Sequence, residues 1–268
     1  MKILLPATFL TAALALATAC TESGDDIFLS DPTVGVGADA VTGSYTRVLA
    51  VGDYLYAVDT RSVITYDVTD RDDPVEVGRT DVGLAVETIY HLNGNLFIGS
   101  REAMFTYTIA DDGRPVRRGQ FDYSLVTGGV QPCDPVVADE NTAYATLYTE
   151  DANGPCGQRR QVQMLVVMDI NDLDRPELIT THDVTTPRGL GLDGDLLFVC
   201  NDRSGLTVLD VSDPSDPTEI NRVRGLMAWD VIADDGLLIV VGTEEVVQYD
   251  YSDPTRLVEL SRLPYSRN

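Results

Sequence analysis

The sequence predicts an all-β chain made of five copies of one four-stranded unit, and three observations carry that prediction. The first is an anchor at fixed spacing. Apolar runs end in Asp67, Asp169, Asp210 and Asp250, with Thr108 in the equivalent place of FTYTIADDGRP, and the successive spacings are 41, 61, 41 and 40 residues. The second is an independent series with the same period: YLYAVD from Tyr54, NLFIGS from Asn95, TAYATL from Thr142, LLFVCN from Leu196 and LLIVVG from Leu237. The third is the lack of any sustained 3.6-residue apolar periodicity past the N-terminal segment, which leaves little room for helix. Self-similarity at about forty residues, with four short strands per copy, is the pattern of a β-propeller with one blade per repeat. The expected architecture is a five-bladed β-propeller of four-stranded antiparallel blades.

Each strand of the unit has its own signal. In the first repeat the strands read RVLAVGD, YLYAVD, SVITYDV and VEVGRTDV, short runs rich in Val, Leu, Ile and Tyr with Gly and Asp between them. The first two are joined by tight turns at Gly52-Asp53, Asn93-Gly94, Asp193-Gly194 and Asp235-Gly236, which favour hairpins. The third and fourth are joined by segments such as SDPSDP, where proline fixes φ and Ser and Asp side chains satisfy turn backbone groups. The unit recurs because a single blade cannot bury its own faces. Both end units are complete, so no swapped closing strand is required, although Ile27 to Val36 has the composition to supply one.

The run LTVLDVSDPSDP, from Leu206, resembles the repeat of the LVIVD-repeat β-propeller proteins, and TYDVTDRDDP and VVMDINDLDRP resemble it less tightly. The resemblance extends over all five repeats and is closest to bacterial envelope lipoproteins. It implies the propeller fold and carries no catalytic residue.

The N-terminus points to the same compartment. Residues 1–19 read as a lipoprotein-type signal peptide: one Lys, a short apolar stretch, then small residues. Ala17-Thr18-Ala19-Cys20 resembles a bacterial lipobox, which implies lipidation at Cys20. Residues 20–44, opening TESGDD after that cysteine, read as a flexible acidic linker, and 45–268 as the propeller. The implied location is the bacterial outer membrane or cell surface, with the periplasmic side as the other option. The formal charge of −24, from 43 acids against 19 bases, excludes a nucleic-acid footprint. It also leaves the lipid as the only membrane attachment.

Strand order assigns the loops to faces. Let the upper face be the one where the first strand of each blade starts. The second strand ends there, the third starts there and the fourth returns there. The regular SDP turns and Asp/Gly hairpins therefore belong to the lower face. The twenty extra residues of the third repeat fall in two segments, TGGVQPC (Thr127 to Cys133) and TEDANGPCGQRRQ (Thr149 to Gln161), and both map to the upper face. Insertions on a rigid repeat scaffold are where binding loops sit.

Cys133 and Cys156 lie one in each insertion, and a disulfide between them suits an oxidising compartment. Cys200 lies inside a strand pattern and reads as a small buried hydrophobe. Two histidines, His91 and His182, and no CxxC spacing give no metal signature, and no cofactor is implied. Asp-rich turns such as DRDDP at Asp70 are explained by turn chemistry before calcium.

Positions at the start of the first strands hold charge: Arg47, Glu87, Asp134, Arg188 and Asp230, with Trp229 beside the last and Tyr45 nearby. These are the candidate ligand- or partner-binding residues; the other reading is a polar channel lining whose charges pair with one another. Adjacent strand residues point opposite ways, so they cannot all face the axis. The functional expectation is a non-catalytic envelope binding or scaffold module, monomeric, whose partner is an envelope protein or a glycan met through the upper face. The alternative is a carbohydrate-active enzyme of glycoside-hydrolase type using Glu87, Asp134 and Asp230 at the channel mouth.

Overall fold

A computed structural model describes residues 43–83, 85–150, 156–157 and 160–265. The signal peptide, Cys20, almost all of the linker and the Ile27 to Val36 segment lie outside the described residues.

Twenty strands form five four-stranded sheets, each built from one contiguous repeat and each pairing its strands antiparallel in chain order. Blade 1 is β1 (Val48–Val51), β2 (Tyr54–Val58), β3 (Ser62–Asp67) and β4 (Val75–Asp81). Blade 2 is β5 (Val86–Leu92), β6 (Asn95–Ser100), β7 (Ala103–Ile109) and β8 (Pro115–Asp122). A single helical turn, α1 (Ser124–Thr127), follows. Blade 3 is β9 (Val136–Ala138), β10 (Thr142–Tyr148), β11 (Gln163–Asp169) and β12 (Glu177–Asp183). Blade 4 is β13 (Leu190–Asp193), β14 (Leu196–Cys200), β15 (Leu206–Asp210) and β16 (Thr218–Val223). Blade 5 is β17 (Ala228–Asp234), β18 (Leu237–Gly242), β19 (Glu245–Asp250) and β20 (Val258–Pro264). The five-bladed all-β architecture is as the repeat predicts.

The anchor aspartates close the third strands by a shared device. Oδ1 of Asp67, Asp169, Asp210 and Asp250 accepts the backbone N–H two residues on, from Thr69, Asn171, Ser212 and Ser252. Three residues later a second aspartate does the same: Asp70, Asp172, Asp213 and Asp253 accept from Asp72, Asp174, Ser215 and Thr255. Two successive Asx-turns are thus what the D-x-x-D spacing encodes. These carboxylates are committed to their own backbones, which accounts for the Asp-rich turns without an ion.

Apolar cores lie between successive blades. Leu49, Tyr56 and Val63 of blade 1 pack on Ile89, Leu96 and Phe105 of blade 2. Phe97 and Phe121 pack on Val136 and Val166, Tyr144 on Leu197 and Leu209, and Phe198 and Val208 on Val231 and Leu238. Burying a side chain of this size contributes about 1.5–3 kcal/mol. Side-chain hydroxyls register the blades: Tyr56 Oη donates to the Gly113 carbonyl (2.7 Å), Thr106 Oγ1 to Leu173 (2.7 Å) and Thr146 Oγ1 to Arg188 (2.5 Å). Among the described residues the segment just before β1 reaches blades 4 and 5. Ser44 Oγ donates to Asp230 Oδ1 (3.1 Å) and accepts the Leu190 N–H (2.8 Å), while Tyr45 stacks on Trp229.

Candidate functional site

The two insertions meet on the upper face, where Cys133 and Cys156 form a disulfide with Cα atoms 5.6 Å apart. Cys133 also bridges Tyr148 by reciprocal backbone hydrogen bonds, which ties the segment before β9 to the end of β10. Around the disulfide pack Tyr148 and Tyr45, joined by a hydroxyl–hydroxyl bond of 2.9 Å. Glu87 Oε1 lies 3.3 Å from Cys133 Sγ. Glu87 and the two sulfurs are the one grouping of metal-ligand types found among the described residues. With the sulfurs bonded to each other they are not thiolates, so the grouping offers one carboxylate and is no metal centre. Cys200 is free and fully buried, as its strand setting implies.

The sequence-predicted charges separate into three environments. Arg188 is spent inside the fold. Its guanidinium lies between the rings of Tyr148 (4.6 Å) and Trp229 (4.5 Å), and its two terminal nitrogens pair with Glu150 (2.8 Å) and Asp202 (3.3 Å). A half-buried guanidinium with two carboxylates and two aromatic faces clamps the second insertion onto blades 4 and 5.

Asp134 and Asp230 are interior groups. Asp134 is 0% exposed, and neither of its oxygens accepts a hydrogen bond of ordinary geometry, although the Tyr123 hydroxyl and the Ser100 N–H approach it. Burial, then the nearby Glu87 charge, push its carboxyl well above the usual carboxylate range. It is therefore not a surface that a partner meets; the adjacent Cys133 is buried as well and held in the disulfide. Asp230 is largely buried and raised to about 6, with desolvation the main cause, against hydrogen bonds from Val231, Ser44 and Tyr45. Gly43 and Gly189 make room for it: a Cβ on either would stand 2.2–2.3 Å from its carboxylate oxygens.

Arg47, exposed, and Glu87, largely buried, share one cleft. Arg47 donates to the Glu87 and Val86 carbonyls (3.2 and 3.3 Å), and Arg101 Nε pairs with Glu87 at 2.9 Å. With Thr60, Arg61, Glu102 and Gln131 these line a cleft of about 580 Å³. A second cleft of about 410 Å³ shares Arg101, Glu102 and Gln131 with it and runs on to Arg117, Asp122 and Ser124. A third, of about 350 Å³, lies between Tyr148, Glu150, Gln161, Gln163 and Arg188. All three open on the upper face. Arg61, Arg101, Glu102, Tyr148 and Glu150 are additions to the sequence reading. Arg61, Arg101 and Glu102 occupy the second-to-third-strand loops, which topology places on this face but no motif marks.

Residues 188–224, spanning blade 4, match the LVIVD repeat. The chain carries an LVIVD repeat. The match covers the four strands and the double Asx-turn described above; blades 1, 3 and 5 reproduce that turn with looser spelling, while blade 2 keeps a single Asx-turn at Asp112. No curated protein matches. Among solved structures, this LVIVD-repeat propeller superposes on a protein from Desulfotomaculum acetoxidans of unknown function with a TM-score of 0.63 at 9% identity, covering 82% of this chain and 69% of that one. A protein from Lactobacillus plantarum gives 0.59 at 13% identity, covering 81% and 73%. The periplasmic gluconolactonase PpgL of Pseudomonas aeruginosa gives 0.59 at 16% identity, covering 80% and 68%. At such identities the likeness is one of fold. Among the described residues no helix is long and apolar enough to cross a membrane.

Proposed function

We propose that the LVIVD-repeat propeller is a non-catalytic binding module of the bacterial cell envelope, tethered through lipidated Cys20 and engaging its ligand with the upper face. The observation that carries this is the concentration of irregularity on one face. Both insertions, the disulfide and all three clefts lie there, while the lower face repeats one turn design. A rigid scaffold with one elaborated face is the usual layout of a recognition surface.

The carboxylates do not favour hydrolysis of a glycoside. That chemistry needs two carboxyls flanking one substrate bond. Here Asp134 is sealed in the interior, Asp230 is held by Ser44 and Tyr45, and Glu87 is paired with Arg101. The likeness to a gluconolactonase rests on fold alone, so lactone hydrolysis enters as an outcome of the test.

The test is capture of envelope material by the full chain, compared with an Arg47→Ala, Arg61→Ala variant whose circular dichroism is unchanged. Ligand retained by the wild type and lost by the variant supports the reading. Equal retention contradicts the surface, and time-dependent consumption of the ligand contradicts the non-catalytic role. Separately, Cys20→Ala is expected to move the protein out of the membrane fraction.

A further inference from the structure

We infer that the joined clefts of blades 1 and 2 form a binding groove for a carboxylate-bearing oligosaccharide, an inference that rests on the binding-module reading and names its ligand class. The first ground is charge. In a chain of net charge −24, this groove gathers the guanidinium groups of Arg47, Arg61, Arg101 and Arg117 against the carboxylates of Glu87, Glu102 and Asp122. The groove is thus a cationic island on an acidic molecule, and such an island concentrates anions locally.

The second ground is which of these cations are free to bind. Glu87 is paired with Arg101, and Arg117 lies over the Phe105 ring at 4.7 Å. Arg47 uses Nε and Nη2 on backbone carbonyls, which leaves Nη1 and the full positive charge facing the groove. The exposed Arg61 guanidinium has no hydrogen-bond or ion-pair partner among the described residues. Lys2 is the one lysine of the chain, so every cation of the folded body is a planar fork suited to bidentate carboxylate contacts.

The third ground is what the groove lacks. Protein partners are held by apolar or aromatic anchors seated in pockets. None of the large exposed hydrophobic residues lines these clefts, and the Phe105 face is already covered by Arg117. Beside Val82, Val86 and Val130 the walls offer Thr60, Glu102, Gln131, Asp122 and Ser124, acceptors and small donors suited to sugar hydroxyls. Hydroxyls and carboxylates on one chain are the chemistry of a uronate polymer.

Titration calorimetry of the full chain with a short oligogalacturonate tests this. Its methyl-esterified form and a glutamate-rich peptide run beside it. The expected result is binding of the acid form that weakens with added salt. Arg61→Gln and the Arg47→Gln, Arg61→Gln pair should lower affinity by about tenfold or more, while lower-face Arg256→Gln leaves it unchanged. Because the exposed Arg61 guanidinium makes no hydrogen bond or ion pair among the described residues, its single variant separates binding from folding. Equal binding of the ester overturns the charge-reading claim. Groove-dependent binding of the peptide in place of the uronate overturns the saccharide. If no probe binds while envelope capture still depends on Arg47 and Arg61, the ligand class is wrong and the binding-module reading stands. If capture is also indifferent to those arginines, both fall.

Discussion

Replacing Asp230 by Asn should change how stability depends on pH, in a direction that the structure fixes. The carboxyl sits where blade 5 meets the segment before β1, bonded by Ser44 Oγ (3.1 Å) and Tyr45 N–H (3.4 Å), and burial raises it from 3.8 to about 6. As pH rises through that window the unfolded chain releases its proton first, so the folded state loses stability until about pH 6 and stays lower above it. The gap between 3.8 and about 6 corresponds to roughly 3 kcal/mol. Asn never ionises and can still accept from Ser44, but it loses the long Tyr45 contact, at a cost of about 1 kcal/mol. The wild type should therefore be the more stable near pH 3 by about 1 kcal/mol, and the variant near pH 7 by about 2 kcal/mol. Urea unfolding at a series of pH values measures the difference. Asp134, also raised, is present in both proteins and cancels. A difference that stays constant from pH 3 to 7, or grows in favour of the wild type, would refute the assignment of Asp230 as a buried, costly acid.

Three further outcomes follow from the geometry. Gly99→Ala should destabilise by about 1–3 kcal/mol in thermal unfolding, because its Cβ would meet Thr88 Oγ1 at 2.3 Å and the Asp134 carbonyl at 2.5 Å; an unchanged melting temperature would show that blade 2 and the Asp134 segment are not in contact. Tyr56→Phe should cost about 1–2 kcal/mol by stranding the Gly113 carbonyl at a site with 0% exposure, read by chemical denaturation. Cys133→Ala with Cys156→Ala should cost about 3 kcal/mol for a bridge spanning 23 residues. Hydrogen exchange should rise at Cys133, Tyr148 and their neighbours while the lower-face turns keep their protection.

Much of the fold was legible because its signal is repeated. A forty-residue period sampled five times locates strands that one copy would leave ambiguous, and the aspartates that mark it are the acceptors that end the third strands of four blades. The bulge between third and fourth strands recurs in every blade, at Thr65/Tyr66, Phe105/Tyr107, Val167/Met168, Val208/Leu209 and Gln248/Tyr249, yet no residue type marks it. Backbone register has no such signal. The site was half legible. Arg47 and Glu87 fall in the groove, and the cysteine pairing follows from two insertions reaching one face. Asp134 went inward because the whole run from Pro132 to Ala138 is buried, which nothing in its residue types announces for an acid just ahead of a first strand. The partners of Arg188 are Glu150 in an insertion and Asp202 in the second-to-third-strand loop of its own blade, contacts that only the folded chain creates.

The upper-face claim is tested most directly by arginine-selective labelling in intact envelopes beside the purified full chain. Phenylglyoxal labelling read by mass spectrometry reports on Arg47 and Arg61 at the groove and on Arg175 and Arg256 at the lower-face turns, all four exposed in the structure. The account predicts that Arg47 and Arg61 are protected in the envelope while Arg175 and Arg256 label at the same rate in both settings. Protection confined to Arg175 and Arg256 would place the ligand on the lower face and contradict it.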